Sequence, residues 1–179
     1  HFSAKPKFEE WLDETARHHK IDKFIFVGGT FKMNYPGPTV IEANKLAHSK
    51  GLVFGNIAIP TRPNEAKNLA AKTSVGCNFF TTQILFDAEN ISDVMIDYAE
   101  ECRKQNLKPS KFYLSFSPIS DVQDIEFFEW LGVHMDESIK IRLMRAGNAG
   151  EESVKIVQDI YSRIMSKADR VVPIGLNIE

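Results

Sequence analysis

Short apolar runs alternate with amphipathic stretches along this chain, and that alternation limits the fold more than any other feature. KFIFVGG (Lys23–Gly29), LVFGNIAI (Leu52–Ile59), the stretch Phe79–Phe86, KFYLSF (Lys111–Phe116) and RVVPIGLNI (Arg170–Ile178) read as strands. The segments between them carry helical spacing. Thr39 to Ser49 puts Val40, Ala43, Leu46 and Ala47 on one face, and Gly51 stops it. A helix after PTRPNEA, with Asn64 as its N-cap, ends at Gly76. Ile91 to Lys104 carries the stripe Ile91, Val94, Met95, Tyr98, Ala99 and Cys102. Further helices are predicted over Asp121–Leu131 and Glu151–Ser166. Ahead of the first strand, Pro6–His19 turns Phe8, Trp11, Leu12 and Thr15 inward.

Strands that alternate with helices predict a parallel sheet with crossover helices. Two α/β architectures fit: an open doubly wound sheet, or part of a (β/α)8 TIM barrel. A barrel needs eight strands, typically in about 250 residues. The 179 residues hold five clear strands, and HFS at the start offers the end of a sixth. The expectation is a single domain over 1–179, the C-terminal portion of a TIM barrel from strand three or four to strand eight. Roughly 100 further residues upstream would supply the missing strands.

Composition narrows the function classes. Apolar residues make up 43% and charged residues 26%, with a net charge of -2. No basic excess points to nucleic acid or an anionic membrane surface. No apolar run approaches the roughly 18 residues of a membrane span. Cys77 and Cys102 give neither a disulfide framework nor zinc spacing, and the expected setting is reducing and cytoplasmic. The five histidines show no metal spacing, and no Cys-His or Ser-His-Asp set supports nucleophilic catalysis.

In parallel α/β folds ligands bind at the C-terminal ends of the strands. Those ends read GGT (Gly28–Thr30), IPTRPNE (Ile59–Glu65), TQILFD (Thr82–Asp87), FSPISD (Phe116–Asp121) and GLNIE (Gly175–Glu179). Thr81, Thr82 and Gln83 interrupt an otherwise apolar strand. A buried amide without partners costs about 1–3 kcal/mol, so Gln83 needs a role. Alternation puts Thr81 and Gln83 on one face, where the amide would offer an acceptor and two donor hydrogens to an amide-like ligand edge. The plain alternative is a Gln satisfied by neighbouring backbone. Asn177, late on the last strand, is a candidate for the same mouth. Lys72 could meet a phosphate or a carboxylate tail, or be a solvated lysine. Arg142 and Arg145 could receive carboxylates but read more simply as surface residues.

KTSVGCNFFTTQILFD, preceded by PTRPNEAKNLAAK, resembles the methylenetetrahydrofolate reductase family. Lys72, Gly76, Thr82, Gln83 and Asp87 fit the family's Lys, Gly-containing turn and Thr-Gln strand closed by Asp. Pro118 and Ser120 match a Pro-x-Ser after the next strand, and Leu176 and Asn177 match a Leu-Asn on the last. The resemblance implies reduction of 5,10-methylenetetrahydrofolate to 5-methyltetrahydrofolate, with hydride from reduced FAD and NAD(P)H as the flavin's reductant. It puts Gln83 on the pterin, Phe128 on the folate benzoyl ring, and Asn68 and Lys72 on the helix that lines the flavin. It also puts Thr30 in the loop near flavin and pterin, where the family has an Asp. The family's acidic proton donor would lie upstream of His1, so no catalytic residue is identified.

The departures fall on the flavin side. Gly28-Gly29-Thr30 stands for Arg-Gly-Asp, Ile59-Pro60 with Pro63 for Tyr-Pro with a nearby His, and Ala71 for an Arg. The expectation is that tetrahydrofolates bind and flavin binds weakly or not at all. Two functions follow: a methylenetetrahydrofolate reductase-like oxidoreductase, or a flavin-less tetrahydrofolate-binding protein acting with a partner reductase or methyltransferase. A partner subunit or a homo-oligomer is compatible with either.

Overall fold

A computed structural model describes residues 4–28 and 36–178. Helix α1 (Lys5–His18) leads into strand β1 (Lys23–Phe26), α2 (Val40–Ser49), β2 (Val53–Ala58), α3 (Glu65–Thr73) and β3 (Phe79–Thr82). Then come α4 (Ala88–Lys104), β4 (Lys111–Phe116), α5 (Val122–Trp130), α6 (Glu137–Arg145), α7 (Ala149–Ala168) and β5 (Ile174–Ile178). The strands form one all-parallel sheet in the order β1-β2-β3-β4-β5.

This corrects the barrel expectation. The described residues form an open sheet in which β1 pairs only with β2, and β5 only with β4. Closing a sheet requires its edge strands to pair with each other, and a (β/α)8 barrel needs eight strands to do so. Five strands in sequential order leave both edges unpaired. The parallel sheet and its crossover helices stand as read; the closed barrel does not. HFS, the suggested sixth strand, and Thr30 lie outside the described residues.

One face of the sheet is packed under helices. Alternation sends Phe24, Phe26, Phe54, Phe80, Phe112, Leu114 and Phe116 to that face, and all are buried. Phe26 meets Phe54 at 5.9 Å, and Phe80 meets Phe112 at 5.3 Å. Tyr98 of α4 completes the cluster, 5.6 Å from Phe80 and 5.4 Å from Phe112, and its hydroxyl accepts from Ser110 N–H at 2.7 Å. Phe8 of α1 packs edge-on against Phe26.

The opposite face is open at its β1 edge, where Val27 is 68% exposed. Parallel strands usually have both faces covered, so this face is the unusual one. Two rings lie across it. An added Cβ at Gly55 would fall 2.3 Å from the Phe79 ring, and one at Gly175 would fall 2.9 Å from the Tyr113 ring. Each glycine makes room for the aromatic paired with it on the next strand.

Local signals explain the helix starts. Thr39 and Glu42 form a capping box on α2, and Asp121 and Asp124 form one on α5. Asp87 caps α4 and Asn148 caps α7. Asn64 occupies the cap position of α3 but with φ 57° and no side-chain cap. The preceding loop is instead tied by the next residue: Glu65 accepts from Ile59 N–H at 3.0 Å.

Candidate functional site

Among the described residues, one cavity at the strand ends lies beside Gln83 and another between α2 and α3. Near Gln83, β3 and β4 stop pairing regularly after Thr81 and Tyr113. Side chains then take over. Ser115 N–H donates to Thr82 Oγ1 at 2.9 Å, and Leu85 N–H donates to the Ser115 carbonyl at 3.0 Å. On the open face the Thr81 hydroxyl lies 3.0 Å from Ser115 Oγ, which also accepts from Asn177 Nδ2 at 3.1 Å. The polar residues inside this apolar strand are therefore satisfied by one another across three strands.

Gln83 continues this face by one step. Its backbone N–H donates to Ala58 at 3.0 Å, and its Nε2 donates to the Leu131 carbonyl at the end of α5 at 3.2 Å. That contact uses one of two amide hydrogens, and the side chain is half-buried. Gln83 lines a hollow of about 30 Å³ with Pro60, Thr61, Asp87, Asn90 and His134.

Phe128 is 6% exposed and packs against Phe86 at 6.0 Å, so its ring lies in the core. Its neighbours on α5 are the ones that face solvent. Phe127 is 53% exposed, Trp130 is 79% exposed, and their rings stack at 6.1 Å. Arg142 is tied to Glu152 of α7.

The second cavity measures about 630 Å³ and is lined by Asn68 and Lys72 together with Phe26, Val40, Ile41 and Ile57. Lys72 is 9% exposed and donates to the Ile57 carbonyl at 3.1 Å. Burial pushes its pKa below the ordinary lysine value; the Glu65 charge opposes that shift and Arg62 adds to it. Glu65 is fully buried and accepts from Asn68 Nδ2 at 3.4 Å, with Arg62 Nη1 3.6 Å away. Cys77 stands nearby but is chemically quiet, its thiol pushed up to about 12 by burial. Among the described residues no group of three or more His, Cys, Asp or Glu is placed to hold a metal ion, and no helix is long and apolar enough to cross a membrane.

With this geometry in view, the chain can be set beside known proteins. No protein-family model matches it, and no curated protein does. A solved structure does. The chain is similar to an uncharacterized protein from Clostridium thermocellum that binds two copies of 5-methyl-5,6,7,8-tetrahydrofolic acid. The TM-score is 0.73 and the identity 26%, over 87% of this chain and 55% of that one. The chain thus spans little more than half the length of this neighbour.

Of the residues singled out in the sequence, Asn177 joins the Thr81–Ser115 pair, Gln83 lies just beyond Thr81 along the chain, and Asn68 and Lys72 share the α2–α3 cleft. Thr81 was placed with Gln83 by alternation, while Ser115, Arg62 and Glu65 escaped the sequence reading. The i, i+3 spacing in EFFEWL could have found the Phe127–Trp130 pair. Ser115 required the β3–β4 register.

Proposed function

We propose that this chain binds a reduced folate of the 5-methyltetrahydrofolate type, with Gln83 reading an edge of the pterin at the C-terminal end of the sheet. The observation that carries the reading is the likeness, over 87% of the chain, to a protein that binds 5-methyl-5,6,7,8-tetrahydrofolic acid. The chemistry of the strand ends supports it. A pterin carries an amide-like donor and acceptor edge, and Gln83 keeps its carbonyl oxygen and one amide hydrogen beyond the bond to Leu131. The groups beside it, Thr81, Ser115 and Asn177, are neutral and bonded to one another, so this row sets no charge against an uncharged heterocycle.

Binding, with hand-over to a partner reductase or methyltransferase, is the reading preferred to reduction by this chain. Reduction would need a hydride donor beside the pterin. The α2–α3 cleft is the neighbouring cavity, and two buried or capping carboxylates, Glu42 and Glu65, stand by the helix starts that would receive a flavin diphosphate. Calorimetric titration of the purified chain with 5-methyltetrahydrofolate tests the reading. Saturable binding is expected, and the same titration gives the stoichiometry. No heat and no protection from thermal unfolding at millimolar ligand would sink it.

A further inference from the structure

The loop from Ile59 to Pro63 is a wall with a cavity on each side. Pro60 and Thr61 line the hollow beside Gln83, while Ile59 and Arg62 line the cleft between α2 and α3. At about 630 Å³ the cleft falls within the range of roughly 300–1,000 Å³ that accommodates drug-sized ligands. Its walls are largely apolar, with Asn56 and Asn68 among them; Arg62 precedes α3, and Lys72 lies in that helix's last turn.

Those charges do not balance. Arg62 and Lys72 are two cations beside one carboxylate, Glu65. Arg62 meets Glu65 only at 3.6 Å, and Lys72 holds a backbone carbonyl. Lys72 is buried while Arg62 is part-exposed, and a buried cation is stabilised when an anion arrives with hydrogen bonds to it. The arginine fork suits a carboxylate in particular.

The helix starts bordering the cleft decide which anion. A diphosphate is ordinarily held at a helix N-terminus, by free N–H groups and the positive end of the dipole. At α2 the Glu42 carboxylate accepts from the N–H and hydroxyl of Thr39, at 2.8 and 3.0 Å. At α3 the Glu65 carboxylate accepts from Ile59 N–H. Both starts already carry a negative charge, which would repel a dinucleotide's diphosphate. A carboxylate also meets the Glu65 charge, 3.6 Å from Arg62, but it needs no free helix N–H groups and can be held by the Arg62 and Lys72 side chains alone.

We infer that the α2–α3 cleft is a second reduced-folate site, in which Arg62 and Lys72 receive the glutamate carboxylates and the apolar walls enclose the rings. This rests on the folate reading proposed above and adds to it a second place on the chain. The cleft then encloses one ligand, while Gln83, whose hollow of about 30 Å³ has room for only about one water, meets an edge of the other, on the opposite side of the Ile59–Pro63 loop.

The test is isothermal titration of the purified chain with 5-methyltetrahydrofolate, and separately with FAD, for the parent and for Arg62→Glu, Arg62→Lys and Ala71→Phe. Thermal melts check that each variant is folded. The parent is expected to take two folates per chain. Arg62→Glu should weaken one site by more than about tenfold and leave the other within about twofold. Arg62→Lys should keep both sites. Ala71→Phe, which fills the cleft from a solvent-facing position, should remove one, and it decides the matter if Arg62→Glu fails to fold. One folate per chain, untouched by either change, overturns the second site and leaves the Gln83 reading standing. Two folates, both insensitive to Arg62→Glu and Ala71→Phe, place the second site elsewhere and overturn the inference. FAD binding that is lost in Arg62→Glu overturns it in favour of a dinucleotide. No folate at all removes both readings.

Discussion

On the helix-covered face of the sheet, Phe54, Phe80, Phe112 and Phe116 are shut away from solvent, each at 1% exposure or less. On the other face, the adjacent residues of the same strands are Gly55, Thr81, Tyr113 and Ser115, together with exposed Val27 at the edge. The backbone is shared and only the parity differs. One parity is a run of interlocking rings that removes large apolar areas from water. The other sets the Phe79 and Tyr113 rings over Gly55 and Gly175 and gathers the hydroxyls of Thr81 and Ser115 toward the strand ends. A single set of strands thus builds the core through one face and, on the function proposed above, presents Gln83 through the other, because side chains alternate with a period of two.

Breaking the covered face should have the largest effect. Phe80→Ala removes a fully buried ring that touches both Tyr98 and Phe112. The expected cost is about 3–5 kcal/mol, read from the midpoint of urea unfolding at unchanged slope. A loss below about 1 kcal/mol would mean that the covered face does not dominate stability, and the contrast between faces would fail.

The covered face was also the more legible one. Alternation within KFIF, VFGNIA and KFYLSF points its phenylalanines to one side, and the helix stripes of α4 and α7 supply the partners. Helix α6 was missed although Ile139 and Leu143 form a short i, i+4 stripe against the core, because its nine residues also carry Ile141 and Met144 on the exposed side, which blurs the pattern. The open face was legible only in part. Alternation paired Thr81 with Gln83, yet the Thr81–Ser115–Asn177 row depends on how three strands align. The charged group by the cleft was hidden for a similar reason: successive turns from Ile59 to Arg62 and from Arg62 to Glu65 bring its members together. The C-terminal portion of a barrel was inferred from strand rhythm and resemblance, but rhythm does not decide whether a parallel sheet goes on to close.

The next effect in size lies on the open face. Ser115 is fully buried and is the shared partner of Thr81 and Asn177. Ser115→Ala removes both contacts at once without opening a large cavity. About 1–3 kcal/mol of stability should be lost, because two polar groups lose a desolvated partner. A double-mutant cycle with Thr81→Val should show coupling, and additive losses would show that the row is not a unit.

A smaller stability effect is expected at Gln83, joined to a larger effect on binding. Its bond to Leu131 lies at the partly exposed end of α5, where water can replace the lost partner. Gln83→Leu should therefore change stability by less than about 1 kcal/mol. Affinity for 5-methyltetrahydrofolate should fall by about 1–3 kcal/mol, or roughly 5- to 150-fold. The reverse pattern, with a lowered melting temperature and unchanged affinity, would make Gln83 a clamp for α5.

The smallest expected effect uses pH to separate the two faces. The open-face groups Thr81, Ser115, Asn177 and Gln83 are hydroxyls and amides, which do not titrate in the acid range. The helix layer does contain a responsive carboxyl. Glu42 is lowered from 4.5 to about 2, first by its bond to Lys5 and then by its bonds to Thr39. A carboxyl whose folded value is depressed stabilises the fold above its unfolded pKa, and that contribution is lost as pH falls toward the folded value. Stability from Glu42 should be fully present above pH 4.5 and should fade toward pH 2. Glu42 is solvent-exposed, so screening keeps the effect small and high salt should reduce it further. Melting curves of the parent and of Glu42→Gln should differ at pH 7 and converge as pH approaches 2. The variant should leave folate affinity at pH 7 unchanged at the Gln83 site, since its cap lies on the covered side of the sheet. A constant gap between the two proteins across that window would show that Glu42 acts through its shape and neutral hydrogen bonds alone.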